Sequence, residues 1–424
     1  MKKLLYLLPV CFWISACSDK KPAGDYAMID VIGSIGKYQK IYCSDLFSSI
    51  ELIPLETRDD CLLDVPNRNL YSVIMNDEVI LVTYTFFEDY RVCAFDLSGR
   101  FLNQIGQKGQ GPGDFQSIST ISFNTENRSV YLWNSNQIII EYAFNGSFTR
   151  SIPLPEVDGK RLSGHAYIGD GLFVGHQSYS GTNKYNYCLY DEHGDIVKCF
   201  PNYIFFERPR RSGGWSIIGA SEPVPVDDRV YLKNVENDTI YCLSNTSLQP
   251  AFVFELGKHK FHKEYLESIN AKGILEKTII VYSLMGTPNY FFYEIGVPEI
   301  LPTPPIKPVY NPMTNTYRTR ETYIYGIYNM KENTNILLDI NNNLLHEKGI
   351  INDLNGGLPF FPRYYAGNNI VIDMWDATKM KETLTEEYFA SRPIKDQQAH
   401  QKLRDLLDNL HEDDNPVVVI AKLK

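Results

Sequence analysis

Residues 107–114, QKGQGPGD, place three glycines and two opposite charges within eight positions of this 424-residue chain. Glycines at 109, 111 and 113 suggest a phosphate cradle, but no Lys-Ser/Thr pair follows and no helix pattern opens there, so phosphate binding has no support. Two readings stay open: a tight connection that needs positive φ, or a loop whose Lys108 and Asp114 help line the mouth of a cavity. A second constellation is Asp353 within Asn352-Asp353-Leu354-Asn355-Gly356-Gly357, followed by Arg363 and Trp375. Carboxylate, guanidinium and indole together could hold a polar ligand or stack a sugar ring, although Asn-Asp and Gly-Gly are also ordinary turn chemistry. These five side chains form the candidate ligand-binding set.

Catalytic signatures are missing. G-x-S-x-G and H-E-x-x-H do not occur, and His259-x-x-His262 stands alone among eight scattered histidines. No catalytic residue, cofactor or metal is therefore assigned. The eight cysteines form no C-x-x-C, which leaves zinc and thioredoxin-like chemistry without support. A two-residue hairpin at His193-Gly194 would pair 192 with 195 and, counting outward, Cys188 with Cys199. The two are either a cross-strand disulfide in an oxidising compartment or two buried thiols.

Residues 1–17, MKKLLYLLPVCFWISAC, carry a basic start, an apolar run too short to span a bilayer, and small residues before Cys17. Residues 1–16 read as a signal peptide, and Ile14-Ser15-Ala16-Cys17 resembles the lipobox of bacterial lipoproteins. Diacylated Cys17 would hold the protein at a membrane, with residues 17–44 as a tether. Formal net charge is −10, and removing residues 1–16 with Lys2 and Lys3 takes it to −12. An acidic body without a basic cluster beyond Arg208-Pro209-Arg210-Arg211 argues against nucleic acid as a partner.

The elements that must position these residues repeat. FDLSG, YAFNG, YDEHG and YCLSN each place an aromatic four residues before a turn position, at 99, 146, 194 and 245, spaced by 47, 48 and 51. Asn replaces Gly in the last copy, a residue also at ease with positive φ. Four strand-length runs in about 40 residues are the content of one propeller blade. Repeats follow over 70–105, 118–152, 165–200 and 222–256, then a stretched fifth, interrupted by five prolines in 301–312 and reaching 340. A short helix fits residues 262–270. The sixth repeat has strands at 358–365 and 369–375, amphipathic helices at 379–389 and 396–411 within an insertion of about 379–412, and a closing strand in 414–424. Three strands are one short of a blade, and the lone strand at 47–56 supplies the fourth. Pairing the two closes a ring and removes both free edges. The expected fold is all-β, a six-bladed propeller spanning residues 45–424.

With the lipobox, IELIPLE, FDLSGRFLNQIGQKGQGPGDF, NDLNGG with its following FFP, and the terminal DNPVVVIAKLK in view, the chain resembles the six-bladed β-propeller lipoprotein family of Bacteroidetes. The resemblance implies a lipid-anchored propeller of the outer membrane, facing the periplasm or the cell surface, and supplies no catalytic set. The expected function is a non-catalytic binding or scaffold propeller for a peptide, glycan or envelope protein. The alternative is a metal-dependent hydrolase or lyase with its site in the central channel.

Overall fold

The computed structural model describes residues 26–63, 71–86, 89–134, 138–177, 182–206, 222–235, 237–262, 277–298, 300–302, 309–311, 316–318, 322–339 and 349–424. The signal segment with Cys17, the Arg208–Arg211 run and residues 263–270 lie outside them.

Runs of β-branched and aromatic residues, cut by turns, form six sheets arranged as blades around a ring. Blade one stacks Tyr71–Met75, Ile80–Phe86, Asp89–Phe95 and Phe101–Gln104 from the axis outward. Blade two uses Ile118–Asn124, Ser129–Asn134, Ile138–Ala143 and Phe148–Pro153. Blade three uses Lys160–Gly169, Leu172–Gln177, Tyr185–Asp191 and Ile196–Pro201, with Glu156–Val157 beside its first strand. Blade four runs through Val224–Val226, Arg229–Leu232, Thr239–Ser244 and Ser247–Glu255. Blade five has Ile280–Gly286, Tyr290–Val297, Thr322–Asn329 and Thr334–Leu337. Blade six combines Tyr364–Tyr365, Ile370–Trp375 and Val417–Leu423 with Phe47–Pro54 from the other end of the chain.

That last pairing closes the ring. Phe47–Pro54 runs antiparallel to Val417–Leu423, from Phe47 opposite Leu423 to Pro54 opposite Val417. Val417, Val418 and Val419 are fully buried by it. The core is divided accordingly: six apolar clusters fill the six seams between neighbouring blades, and each strand offers alternate side chains to the blade before and the blade after. Stability is therefore distributed around the ring rather than held in one centre.

The turn glycines show why the repeat is kept. Gly99, Gly146 and Gly194 sit at φ +86°, +82° and +82°. A Cβ at these positions would lie 2.1 Å from the Pro54 carbonyl oxygen, 2.5 Å from that of Gln104 and 2.4 Å from that of Pro153, each at the outer edge of the preceding blade. The residue thus answers two demands, handedness and contact between blades. Asn245, at φ +53°, meets the first demand in blade four.

Four expectations need correction. Residues 17–44 are not a tether throughout, because Ala27–Asp30 adds a parallel fifth strand outside blade four and Ile29 and Val31 are fully buried. Its short apolar run lay hidden in polar sequence. The fifth repeat, with strand pattern expected at 278–284, 320–328 and 335–340, gains Tyr290–Val297, which proline-rich sequence separates from its partner Thr322–Asn329. The strand expected at 358–365 shrinks to Tyr364–Tyr365, since the residues before it are packed coil around the NDLNGG turn. The helix expected at 379–389 is two, Ala377–Thr383 and Glu386–Ala390, because Thr385 starts a new helix by accepting a bond from the Tyr388 amide. Gln397–Asn409, capped by Asp396, completes the insertion and buries Leu403 and Leu407.

Candidate functional site in the central channel

The innermost strands of all six blades enclose a channel cavity of about 560 Å³ that remains open to solvent. Its wall mixes hydroxyls and aromatics, including Ser72, Ser119 and Tyr167, with two opposite charges, Glu222 and Arg363. A side pocket of about 180 Å³ between blades five and six shares Arg363, Tyr364, Leu284 and Met285 with the channel. Its walls include Phe292 and the pair Tyr325–Phe361, whose rings stack 4.1 Å apart.

Arg363 reaches the channel because its amide is held by the Ile372 carbonyl at the start of blade six. Its Nε lies 3.4 Å from Oδ1 of the buried Asp373. Burial works against the guanidinium charge, but Asp373, Tyr325, Tyr364 and Glu294 together outweigh it and the group is held above its ordinary value. Two residues on, the Tyr365 hydroxyl donates to Asp227 Oδ1 of blade four at 2.9 Å. This bond links blade six to blade four past the inner edge of blade five. Burial, with the Asp227 carboxylate second, pushes the Tyr365 phenol up to about 12.

Glu222 precedes the first strand of blade four and is solvent-exposed by area, yet the channel walls stand around it. That enclosure alone raises its carboxyl above the ordinary value. Among the described residues neither a hydrogen bond nor an ion pair answers it. Next to it the innermost strand of blade three bulges at Gly164, φ +55°, where a Cβ would fall 2.4 Å from the His176 ring and 3.6 Å from Glu222 Oε2. The bulge therefore gives His176 and Glu222 room to approach one another. His176 Nε2 lies 3.3 Å from Ser163 Oγ, and burial lowers its pKa to about 4. His165 is turned into the blade, with Nδ1 2.9 Å from the Tyr190 hydroxyl, Nε2 3.1 Å from the Leu162 carbonyl and its ring parallel to Trp133. Burial drives its pKa down to about 3. Both imidazoles are neutral at physiological pH. Among the described residues no three His, Cys, Asp or Glu side chains converge as a metal site.

Of the five candidates, only Arg363 lines the channel. Lys108 and Asp114 do not: Asp114 accepts from the Gly111 amide at 2.8 Å and from Gln107 Nε2 at 3.1 Å, so the loop's own carboxylate fills its cradle. Gly109 admits it, since a Cβ there would meet Asp114 Oδ2 at 2.2 Å. The Tyr142 hydroxyl of blade two donates to the Gly113 carbonyl, and Lys108 lies 5.7 Å from the Tyr90 ring of blade one, which makes the loop a latch between those blades. Asp353 is 1% exposed. It takes the Ser44 amide at 2.9 Å, Ser44 Oγ at 2.6 Å and Lys395 Nζ at 2.8 Å, tying the N-terminal segment to the helical insertion. Trp375 is 0% exposed and packs over Gly357, out of a ligand's reach. Cys188 and Cys199 stand opposite each other in blade three and are disulfide-bonded, with Cα atoms 4.1 Å apart.

Glu222, Tyr167 and Tyr365 were missed. The available signal was position: the opening strand of every four-strand repeat faces the axis, so residues there line the channel whatever their neighbours in sequence.

Fold and cavity define a six-bladed propeller with a walled axial site. The chain matches the family described as a domain of unknown function (DUF4934) over residues 27–422, and it belongs to that family. No curated protein matches it. Among solved structures, an exported protein of Bacteroides fragilis NCTC 9343 is similar, with a TM-score of 0.65 at 17% identity, covering 94% of this chain and 99% of that one. A member of the DUF4221 family from Bacteroides vulgatus gives a TM-score of 0.49 at 10% identity, over 89% of this chain and 97% of the other.

Proposed function

We propose that this protein is a cell-envelope lipoprotein, anchored through Cys17, whose propeller holds a peptide, glycan or protein partner in the central channel and does no chemistry on it. The observation that carries this reading is the solvent-open cavity of about 560 Å³, to which every blade contributes and in which hydroxyls, aromatics and two charges face one space. The placement of the histidines favours binding over the metal-dependent hydrolase or lyase, because His165 spends both ring nitrogens on the blade's own groups. An outer-membrane position, facing either the periplasm or the surface, follows from the lipobox-like ISAC and not from the propeller. The similar Bacteroides fragilis protein is described as exported, the route this reading requires.

Two measurements test it. Metabolic labelling with an alkyne palmitate should mark the wild-type chain and leave Cys17→Ala unmarked; equal labelling removes the anchor. Hydrogen exchange on the protein with ligands from a glycan and peptide screen should protect the opening strands of several blades at once. Protection confined to the outer faces would move the site away from the channel.

A further inference from the structure

Among the described residues, Glu222 is the one charge of the channel wall without a hydrogen-bond or ion-pair partner. The other, Arg363, has Asp373 behind it at 3.4 Å. His165 and His176, the titratable groups of blade three beside Glu222, are neutral. Blade five contributes the apolar Leu284 and Met285 to the same cavity wall. A carboxylate that stands within the channel wall, open to solvent and without a protein donor, is placed to pair with a cation brought by a ligand, and the walls around it strengthen that pairing over one in bulk water. The guanidinium of Arg363 makes its nearest approach to Asp373 through Nε, and its Nη groups add donors that neutral acceptors such as peptide carbonyls can use.

Building on the channel-binding reading above, we infer that Glu222 is the specificity residue of the channel and that the ligand is a peptide segment presenting a basic side chain to it. The lysine or arginine of the ligand pairs with Glu222, and its backbone carbonyls accept from Arg363 and the wall hydroxyls. The neighbouring pocket of about 180 Å³, walled by Phe292, Tyr325 and Phe361 together with Glu294 and Arg363, has room for an adjoining side chain.

The test uses N-acetylated, amidated hexapeptides that differ only in a central lysine, norleucine or glutamate, with spermidine and neutral oligosaccharides as further probes, titrated calorimetrically into the full mature chain. The lysine peptide should bind at least about tenfold more tightly than the norleucine peptide. Glu222→Gln should erase that preference while leaving the thermal midpoint at or above the wild-type value. For the wild type, affinity for lysine should weaken as pH falls through the raised carboxyl pKa of Glu222, and norleucine should show no such trend. Equal affinities, a preference that survives Glu222→Gln, spermidine binding as tightly as the peptide, or no peptide binding at all would overturn the inference. Oligosaccharide binding that is lost in Arg363→Met but kept in Glu222→Gln would overturn it and leave the channel-binding reading standing. Lysine-peptide binding unaffected by both variants would sink the two together.

Discussion

Two carboxylates, Asp353 and Glu222, show how opposite environments assign opposite roles to the same chemical group. Asp353 is closed off from water and receives three donors from Ser44 and Lys395. Burial pushes its carboxyl up, but the bonds from Lys395 and Ser44 outweigh burial and hold it below the ordinary value. Glu222 keeps its water but has no donor, and enclosure raises it. The first carboxylate is spent on architecture, joining the entry segment to the insertion. The second is available to a ligand.

The largest effect that would sharpen this contrast is expected at Asp353. Replacing Asp353 with Ala strips the Ser44 amide, the Ser44 hydroxyl and the Lys395 ammonium of their shared acceptor, and denaturant unfolding should show a loss of about 2–3 kcal/mol. An unchanged midpoint would mean that the insertion is held by its apolar contacts alone.

Next comes the acid limb of the same comparison. A carboxyl whose folded pKa is depressed contributes stability that is present above its unfolded value, near 3.9 for aspartate, and is lost as pH falls through the folded value. Wild-type melting should therefore decline below about pH 4 more steeply than that of Asp353→Asn. Parallel curves would show that Asp353 titrates alike in both states.

Tyr365→Phe tests the link between blades four and six beside the channel. Loss of its bond to Asp227 should cost about 1 kcal/mol and widen access between blades four and six, which faster hydrogen exchange at Val224–Val226 would report. No change in exchange would mean that the bond does not gate the channel.

The smallest effect has the opposite sign. A carboxyl with a raised folded pKa destabilises the fold progressively as pH rises from its unfolded value through the folded one. Glu222→Gln should remove this penalty and raise stability at pH 7 by less than about 1 kcal/mol, because the group remains in contact with solvent. A clear loss of stability instead would reveal a structural partner for Glu222 and would collapse the contrast with Asp353.

Much of the fold was legible because it rests on local demands. Turn positions need particular φ values, and Gly99, Gly146, Gly194 and Asn245 display them. The ring closure was legible from strand arithmetic, since an unpaired first strand and an incomplete last blade leave one solution without free edges. Where local pattern was weak, the reading slipped. Ala27–Asp30 forms a strand only because blade four presents an edge to it, and Tyr290–Val297 lies apart from its partner in sequence. The candidate site was far less legible. Asp353 and Trp375 had suitable chemistry and proved to be packing residues, whereas Arg363 reached the channel.

Sequence by itself determined the repeat, its turns and the pairing of the two chain ends, because each follows from backbone geometry within a few residues or from a count of strands. Only the tertiary structure decided which charges face the axis and which find donors. Ser44 and Lys395 reach Asp353 from positions 309 and 42 residues away, and the emptiness around Glu222 depends on where several blades place their side chains. Electrostatic pairing acts through space over a few ångströms, and spacing along a chain carries no record of that distance until the ring has closed.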